Sequence, residues 1–332
     1  MSLAVEARLR EVAGITAHQQ QVGSPGIVRL KSRKLVDKKQ VMGWAAVGIS
    51  TAITCFWAYW GIVENFHEGW YFVSLPANLG LMIVQYLSPM LGFLAVTLAA
   101  ILWPKPGAGL HIALALLAAW FFQVSANPGL LIMLMPLVLL GMLYWFARPR
   151  PRKAAVSLAI GLPIATLIIA GVGPAVRVLQ RQDDGYPGAR LVSGNGVRLL
   201  WAPEGPGWPR DGSNWYEAQQ ACQHLSADGL ELEAAPAFVW RLPAAAEAVR
   251  SMARHSANSG GQWDASTGKA SYTTTPDKES PLWDVHSQVI YWWTATEVDK
   301  ERAYIIVYDG KVWPRPKEFG PAYLGYRCVK EP

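Results

Sequence analysis

The chain is poor in cysteine, histidine and charge. Its 332 residues hold three cysteines, Cys55, Cys222 and Cys328, and six histidines. So few sulfurs exclude a disulfide-dense secreted scaffold. His224, His255 and His286 lack zinc-ligand spacing. Charged side chains make up 16% of the residues, and they are almost absent from the long runs between residues 41 and 176. The stretch after residue 183 lacks the opposite feature, a long apolar run. These two absences cut the chain in half.

Net charge divides at the same place. Fifteen basic against five acidic residues give +10 for residues 1–182, and fifteen against nineteen give −4 for residues 183–332. The basic residues sit in short clusters beside apolar runs, a pattern that orients membrane helices rather than one that tracks a phosphate backbone. Nucleic acid is therefore excluded as a partner, and the lipid bilayer is the expected one.

A helix needs about 20 apolar residues to cross a bilayer. Five stretches qualify, at about 41–63, 78–103, 108–126, 128–147 and 154–176. The third and fourth are separated by the turn-forming Asn127-Pro128-Gly129 and read as an antiparallel hairpin. Residues 1–40 are expected to remain as a polar tail rather than a cleaved signal, because the first apolar run starts late and is longer than an h-region. Basic clusters precede the first run (RLKSRKLVDKK) and lie between the fourth and fifth (RPRPRK), with Lys105 between the second and third. The loop after the first run holds only Glu64 and Glu68, and the loop after the third is uncharged. Every second loop is thus basic. The positive-inside rule then puts the N-terminus in the cytoplasm and the C-terminal half on the far side, the periplasm if this is a bacterial inner membrane. A re-entrant hairpin at 108–147 would remove two crossings together and preserve that result.

Ionisable residues at membrane depth usually mark ion paths, and His111 is the only one inside a run. With Gln85 and Gln123 it reads as an interhelical or interfacial polar group. Trp44, Trp60, Trp103, Tyr144 and Trp145 form interfacial belts, and Pro89, Pro136 and Pro163 are kink sites. Cys55 reads as a buried, inert thiol.

Residues 180–196 read as a polar linker and 197–332 as one domain, which carries nine of the sixteen tryptophans. Asn214 and Glu217 form a capping-box pattern. Behind it Trp215, Ala218, Cys222 and Leu225 make one apolar helical stripe. A second helix is expected after Arg241-Leu242, with Pro243 at its first position and Glu247 available as an ion-pair partner for Arg241 in the interior. Strands are expected at VIYWWTAT (289–296), on both sides of the Asp309-Gly310 turn in AYIIVYDGKVW, and at YLGYRCV around Cys328. The fold class is an α-helical membrane bundle followed by an α+β domain.

Six segments of that domain appear in a telling order: GVRLLW (196–201), NWYEAQQAC (214–222), VWRLPAAAE (239–247), YWWTATE (291–297), IIVYDG (305–310) and GYRCV (325–329). Together they resemble the Lcl C-terminal domain family, a domain of unknown function similar to the C-type-lectin-like fold of formylglycine-generating, sulfatase-modifying proteins. Ala244 departs from the small hydroxyl residue usual in that family, at a cost to the capping of the second helix, and Trp293-Thr294-Ala295-Thr296 varies its consensus. The resemblance implies a disulfide between Cys222 and Cys328, and an exported location favours the same pairing independently. It also implies that Trp215, Glu217, Trp240, Arg241, Leu242, Pro243, Glu247, Trp292 and Arg327 are fold determinants. The membrane half carries no resemblance.

No catalytic set is apparent. The formylglycine-generating enzymes use a dedicated pair of reactive cysteines, whereas both cysteines of this domain are needed for the bridge. No cofactor is expected. Calcium is the one metal that the carboxylates Asp264, Asp277, Glu279 and Asp284, in the segment 260–289, would suit. The expected function is non-enzymatic: a multi-pass membrane protein displaying a lectin-like domain that recognises a protein, glycan or envelope component. The binding face is expected at 256–288 and 311–322, with Trp263, Tyr272, Trp283 and Trp313 as contacts, because long loops on rigid scaffolds carry function. Two other readings are an accessory subunit of a larger membrane complex and an enzyme modifying exported proteins.

Overall fold

An apolar run inside a bilayer must satisfy its backbone groups internally, which helices do. A computed structural model describes residues 38–123, 129 and 131–332. The tail to residue 37 and the Asn127-Pro128 turn lie outside the described residues. The first half forms α1 (Lys38–His67), α2 (Leu75–Leu81), a π-helical turn (Met82–Tyr86), α3 (Ser88–Leu102), α4 (Pro104–Phe121), α5 (Leu131–Phe146) and α6 (Arg152–Leu179). Helices α1 and α6 are long and apolar enough to cross a membrane, and α2 with α3 makes a third candidate if that pair, bent by 59°, counts as one. The second run is therefore broken, next to the expected kink site Pro89. Pro89, in the first turn of α3, has no N–H to donate and crowds the preceding turn, which widens into the π geometry.

Helices α4 and α5 pack antiparallel, with Gly141 against Ala108 and Ile112 and Ala115 clustered with Leu134 and Leu137. Gly171 of α6 meets Ile62 of α1, where an added Cβ would come within 2.9 Å of the isoleucine. At their N-terminal ends the two helices are tied together, since Trp44 Nε1 donates to the Arg150 carbonyl at 2.9 Å. His111 is fully buried among the helices, as an interhelical polar group would be. Its ring stacks on Tyr144 at 5.3 Å, and the Tyr144 hydroxyl lies 3.2 Å from Ser50 Oγ. Cys55, expected to be buried, is partly exposed on the outside of α1.

The second half opens earlier than expected. Strands β1 (Arg190–Gly194) and β2 (Val197–Trp201) form a hairpin around Asn195-Gly196, both at positive φ, the combination a tight hairpin turn demands. The segment 180–196 is thus part of the folded domain and not a free linker. Helices α7 (Trp215–His224) and α8 (Ala245–Ser251) follow. Next come the small hairpins β3 (Ala253–Arg254) with β4 (Ala257–Asn258) and β5 (Gln262–Asp264) with β6 (Lys269–Ser271). The last strands are β7 (Tyr291–Glu297), β8 (Arg302–Val307), β9 (Val312–Pro316), β10 (Leu324–Gly325) and β11 (Val329–Lys330). Two sheets result, ordered β1-β2-β11 and β10-β7-β8-β9.

Trp201, Trp240, Trp292 and Trp293 are fully buried between these layers, and such rings dominate core energetics. Cys328 lies between β10 and β11 rather than within one terminal strand. Its carbonyl accepts from Ala202 N at 2.9 Å, and its N–H donates to the Gly207 carbonyl. Pro243 stands just outside α8, whose N-cap is Ala244.

Candidate functional site

The motif residues build the frame. Asn214 accepts from the Glu217 N–H, Glu217 accepts in return from the Asn214 N–H, and the stripe Trp215, Ala218, Cys222, Leu225 is buried. Cys222 is bonded to Cys328 with Cα atoms 5.6 Å apart. Trp215 Nε1 donates to the Thr294 carbonyl, which locks α7 to β7. Trp240 lies under the Lys330 ammonium at 4.4 Å, and Leu242 is buried beside it. Arg241 does pair with Glu247, at 2.7 Å, but at the surface, with the arginine side chain 44% exposed. Arg327 is wholly buried, lies 3.6 Å over Trp208 and donates to the carbonyls of Ala202 and Leu282.

The four expected contact aromatics do not form one patch. Trp283 is 3% exposed and stacks on Trp292 at 3.7 Å, 9° from parallel. It is therefore a core residue rather than an exposed contact, although it also lines a small cavity of about 150 Å³ with Trp208, Arg210 and Asp284. Tyr272 is partly buried, and its hydroxyl donates to the Gly310 carbonyl. Trp263 sets its edge against Tyr304 at 5.2 Å.

Trp313, itself partly buried against the core, borders an aromatic surface that opens at Phe319 and Tyr323. The Arg315 guanidinium lies 5.8 Å from its ring and 6.0 Å from that of Phe319, which is 40% exposed. Tyr291 bridges Trp313 and Tyr323, at 5.8 and 5.6 Å. Sequence reasoning missed Arg315, Phe319 and Tyr323, although the alternation in WPRPKEFGPAY carries them. This surface flanks β9, an edge strand. Pro314 and Pro316 remove backbone donors there, which blocks pairing with another strand. Recognition on this face thus falls to side chains.

The loop carboxylates are largely committed elsewhere. Asp277 bridges Arg181 at 3.0 Å and Arg254 at 2.7 Å with both partners nearly buried. Glu279 accepts from the Gln182 N–H at 2.9 Å and from the His255 N–H. Asp264 caps its own turn through Ser266 and Thr267, which lowers its pKa to about 2. Among the described residues no group of three or more His, Cys, Asp or Glu could hold a metal ion. Buried beside this network, Lys278 is pushed down to about 7 by desolvation and by the Arg181 charge.

The same network fastens the domain to the bundle. His67 at the end of α1 lies 2.8 Å from the Tyr308 hydroxyl through Nδ1 and 3.3 Å from that of Tyr291 through Nε2. Arg181, just beyond α6, sits over Tyr308 at 5.2 Å. Between these helix ends and the β8–β9 turn is a cavity of about 510 Å³. Val63, Phe66, Pro174 and Val178 form its apolar part, and Glu64, Arg177, Asp309 and Lys311 its polar part. Glu68 next to it is raised to about 7 by burial and by the neighbouring Glu64 carboxyl. No protein-family model, curated protein or solved structure matches the chain.

Proposed function

We propose that the chain is a non-enzymatic, five-span protein of a bacterial inner membrane that holds a C-type-lectin-like domain rigidly on the periplasmic side. There the domain recognises a protein, glycan or envelope component. The open surface of Trp313, Arg315, Phe319 and Tyr323 carries this reading. Exposed aromatic rings around an arginine are the residue types that dominate binding hot spots, and Phe319 and Tyr323 are the exposed rings of this face.

Two further features support the membrane side of the proposal. The α4/α5 hairpin leaves Trp120, Phe121, Leu131 and Ile132 more than half exposed, which in water would be an aggregation surface and in lipid is ordinary. Helices α1 and α6 both present their C-terminal ends to the domain, so they run the same way. The lectin-like assignment is supported by the pairing of the domain's last strand with β2 near its start, and by the α7-to-terminus disulfide.

The test uses full-length protein in lipid nanodiscs, probed with glycan arrays and solubilised envelope extract. A double variant, Arg315→Ala with Phe319→Ala, is expected to lose the ligand at least about ten-fold while its melting temperature stays within a few degrees. Retained binding would rule out this face. A stoichiometric membrane partner that co-purifies equally with both proteins would instead favour an accessory subunit.

A further inference from the structure

The cavity at the bundle–domain seam differs from the aromatic face in kind, because its walls come from two chemistries. Val63 and Phe66 belong to the last turns of α1, and Pro174 and Val178 to those of α6. Gly173 also lines the cavity, and a Cβ there would meet nothing within 4 Å. The opposite wall comes from the domain, with Tyr308, Asp309 and Lys311. Where apolar helix ends meet a polar domain, a membrane-spanning reading of α1 and α6 places lipid headgroups.

Charge decides what fits. Lys311 is neutralised by Asp309 at 2.7 Å, and Arg181 by Asp277 at 3.0 Å. Two charges remain at the cavity. Arg177, in the last turn of α6, is exposed and pairs with no carboxylate among the described residues. Glu64 lies near Glu68, His67, Tyr86 and Tyr291 and has no cationic ion-pair partner among the described residues. An anionic headgroup would meet Arg177 but also the Glu64 carboxylate. A simple cation would meet Arg177. A zwitterion satisfies both.

We infer that this cavity binds the headgroup of a zwitterionic phospholipid bearing a primary ammonium, with its phosphate on Arg177 and its ammonium toward Glu64. The acyl chains lie along Val63, Phe66, Pro174 and Val178. A volume of about 510 Å³ falls within the range of small-ligand sites and accommodates the headgroup with the glycerol. The seam is held from both sides, by His67 on Tyr308 and Tyr291 and by Arg181 on Asp277, so the site is formed before the lipid arrives. The inference rests on α1 and α6 crossing a membrane and is independent of what the aromatic face binds.

The experiment titrates delipidated full-length protein in mild detergent with four probes: short-chain phosphatidylethanolamine, short-chain phosphatidylglycerol, free phosphoethanolamine and inorganic phosphate. Binding is read by native mass spectrometry and thermal shift. Phosphatidylethanolamine is expected to bind about ten-fold or more tightly than phosphatidylglycerol, with no shift from either soluble compound. Arg177→Gln, at an exposed and unpaired position, is expected to weaken phosphatidylethanolamine about ten-fold without changing the lipid-free melting temperature. Glu64→Gln is expected to reverse the order of the two lipids. Equal or tighter phosphatidylglycerol binding by the unmodified protein would overturn the inference, as would Arg177→Gln binding unchanged. Free phosphoethanolamine binding as well as the lipid would identify a soluble ligand and overturn it too. Reporter fusions that contradict the membrane orientation would fail separately, because the titration in detergent does not depend on sidedness.

Discussion

Lys278 is an unusual residue to bury: it is almost completely enclosed, and its ammonium nitrogen donates to the Ser287 carbonyl. A neutral amine still donates, though more weakly than an ammonium, so burial removes the charge and keeps a bond. Its pKa falls from 10.5 in an exposed chain to about 7 in the folded domain. Between those values the unfolded chain binds the proton and the folded one does not, so stability rises with pH across the window by up to about 1.4 kcal/mol per unit. Tyr308 and Tyr326 act oppositely above about pH 10, because burial holds their protons on. Urea midpoints of the full chain are therefore expected to climb from pH 7 to about pH 9.5. In Lys278→Met that climb is expected to flatten, and an identical slope in the variant would refute the assignment. None of this was legible in the sequence. Asp277 and Glu279 read as loop carboxylates because their partners, Arg181 and Gln182, lie 96 and 97 residues away. Cys222 and Cys328 were legible, since one lies on a helical stripe and the other in a recognisable terminal motif.

Helix ends show what local sequence does and does not determine. Helix α7 has its full box, with Asn214 and Glu217 each accepting from the other's backbone. Helix α8 has half of one: Glu247 accepts from the Ala244 N–H at 2.7 Å, but alanine returns nothing. Ala244 already holds the extended conformation of an N-cap, φ −64° and ψ 154°, so a hydroxyl there needs no backbone change. Ala244→Ser is expected to add about 0.5–1 kcal/mol and raise the melting temperature of the domain by about 2–4 °C; a lowered value would count against the capping account. Both helices and the Asp309-Gly310 turn were readable because their signals lie within a few residues. The hairpins β3–β4 and β5–β6 were not, since two- and three-residue strands have no period to detect. The break before α3 was only half readable. Pro89 announces a kink, but not a bend of 59° with a π turn in front of it.

At the scale of the molecule, the composition shift near residue 183 separates bundle from domain, yet the two are not hung on a string. Arg181 on Asp277, Gln182 on Glu279 and Asp184 on Arg190 and Ser280 bind the expected linker down, and His67 adds a second attachment from α1. That geometry constrains topology. Helices α1 and α6 deliver their C-terminal ends to one body, so if both cross a membrane the crossings between them are odd in number, three if the α4/α5 hairpin spans it and one if that hairpin returns part-way. The domain sits at the C-terminal end of α1, away from its basic N-terminal flank, and the proposed orientation puts that end on the side where cysteines oxidise. Alkaline phosphatase fused after Pro332 is expected to be active in a bacterial host, and green fluorescent protein at the same point dark. Maleimide is expected to leave Cys222 and Cys328 unlabelled until the protein is reduced and unfolded. An inactive phosphatase, a fluorescent fusion and free thiols would together reverse the orientation. They would also strip the disulfide of its compartment, because a loop closed over 106 residues stabilises the domain only where the bond persists.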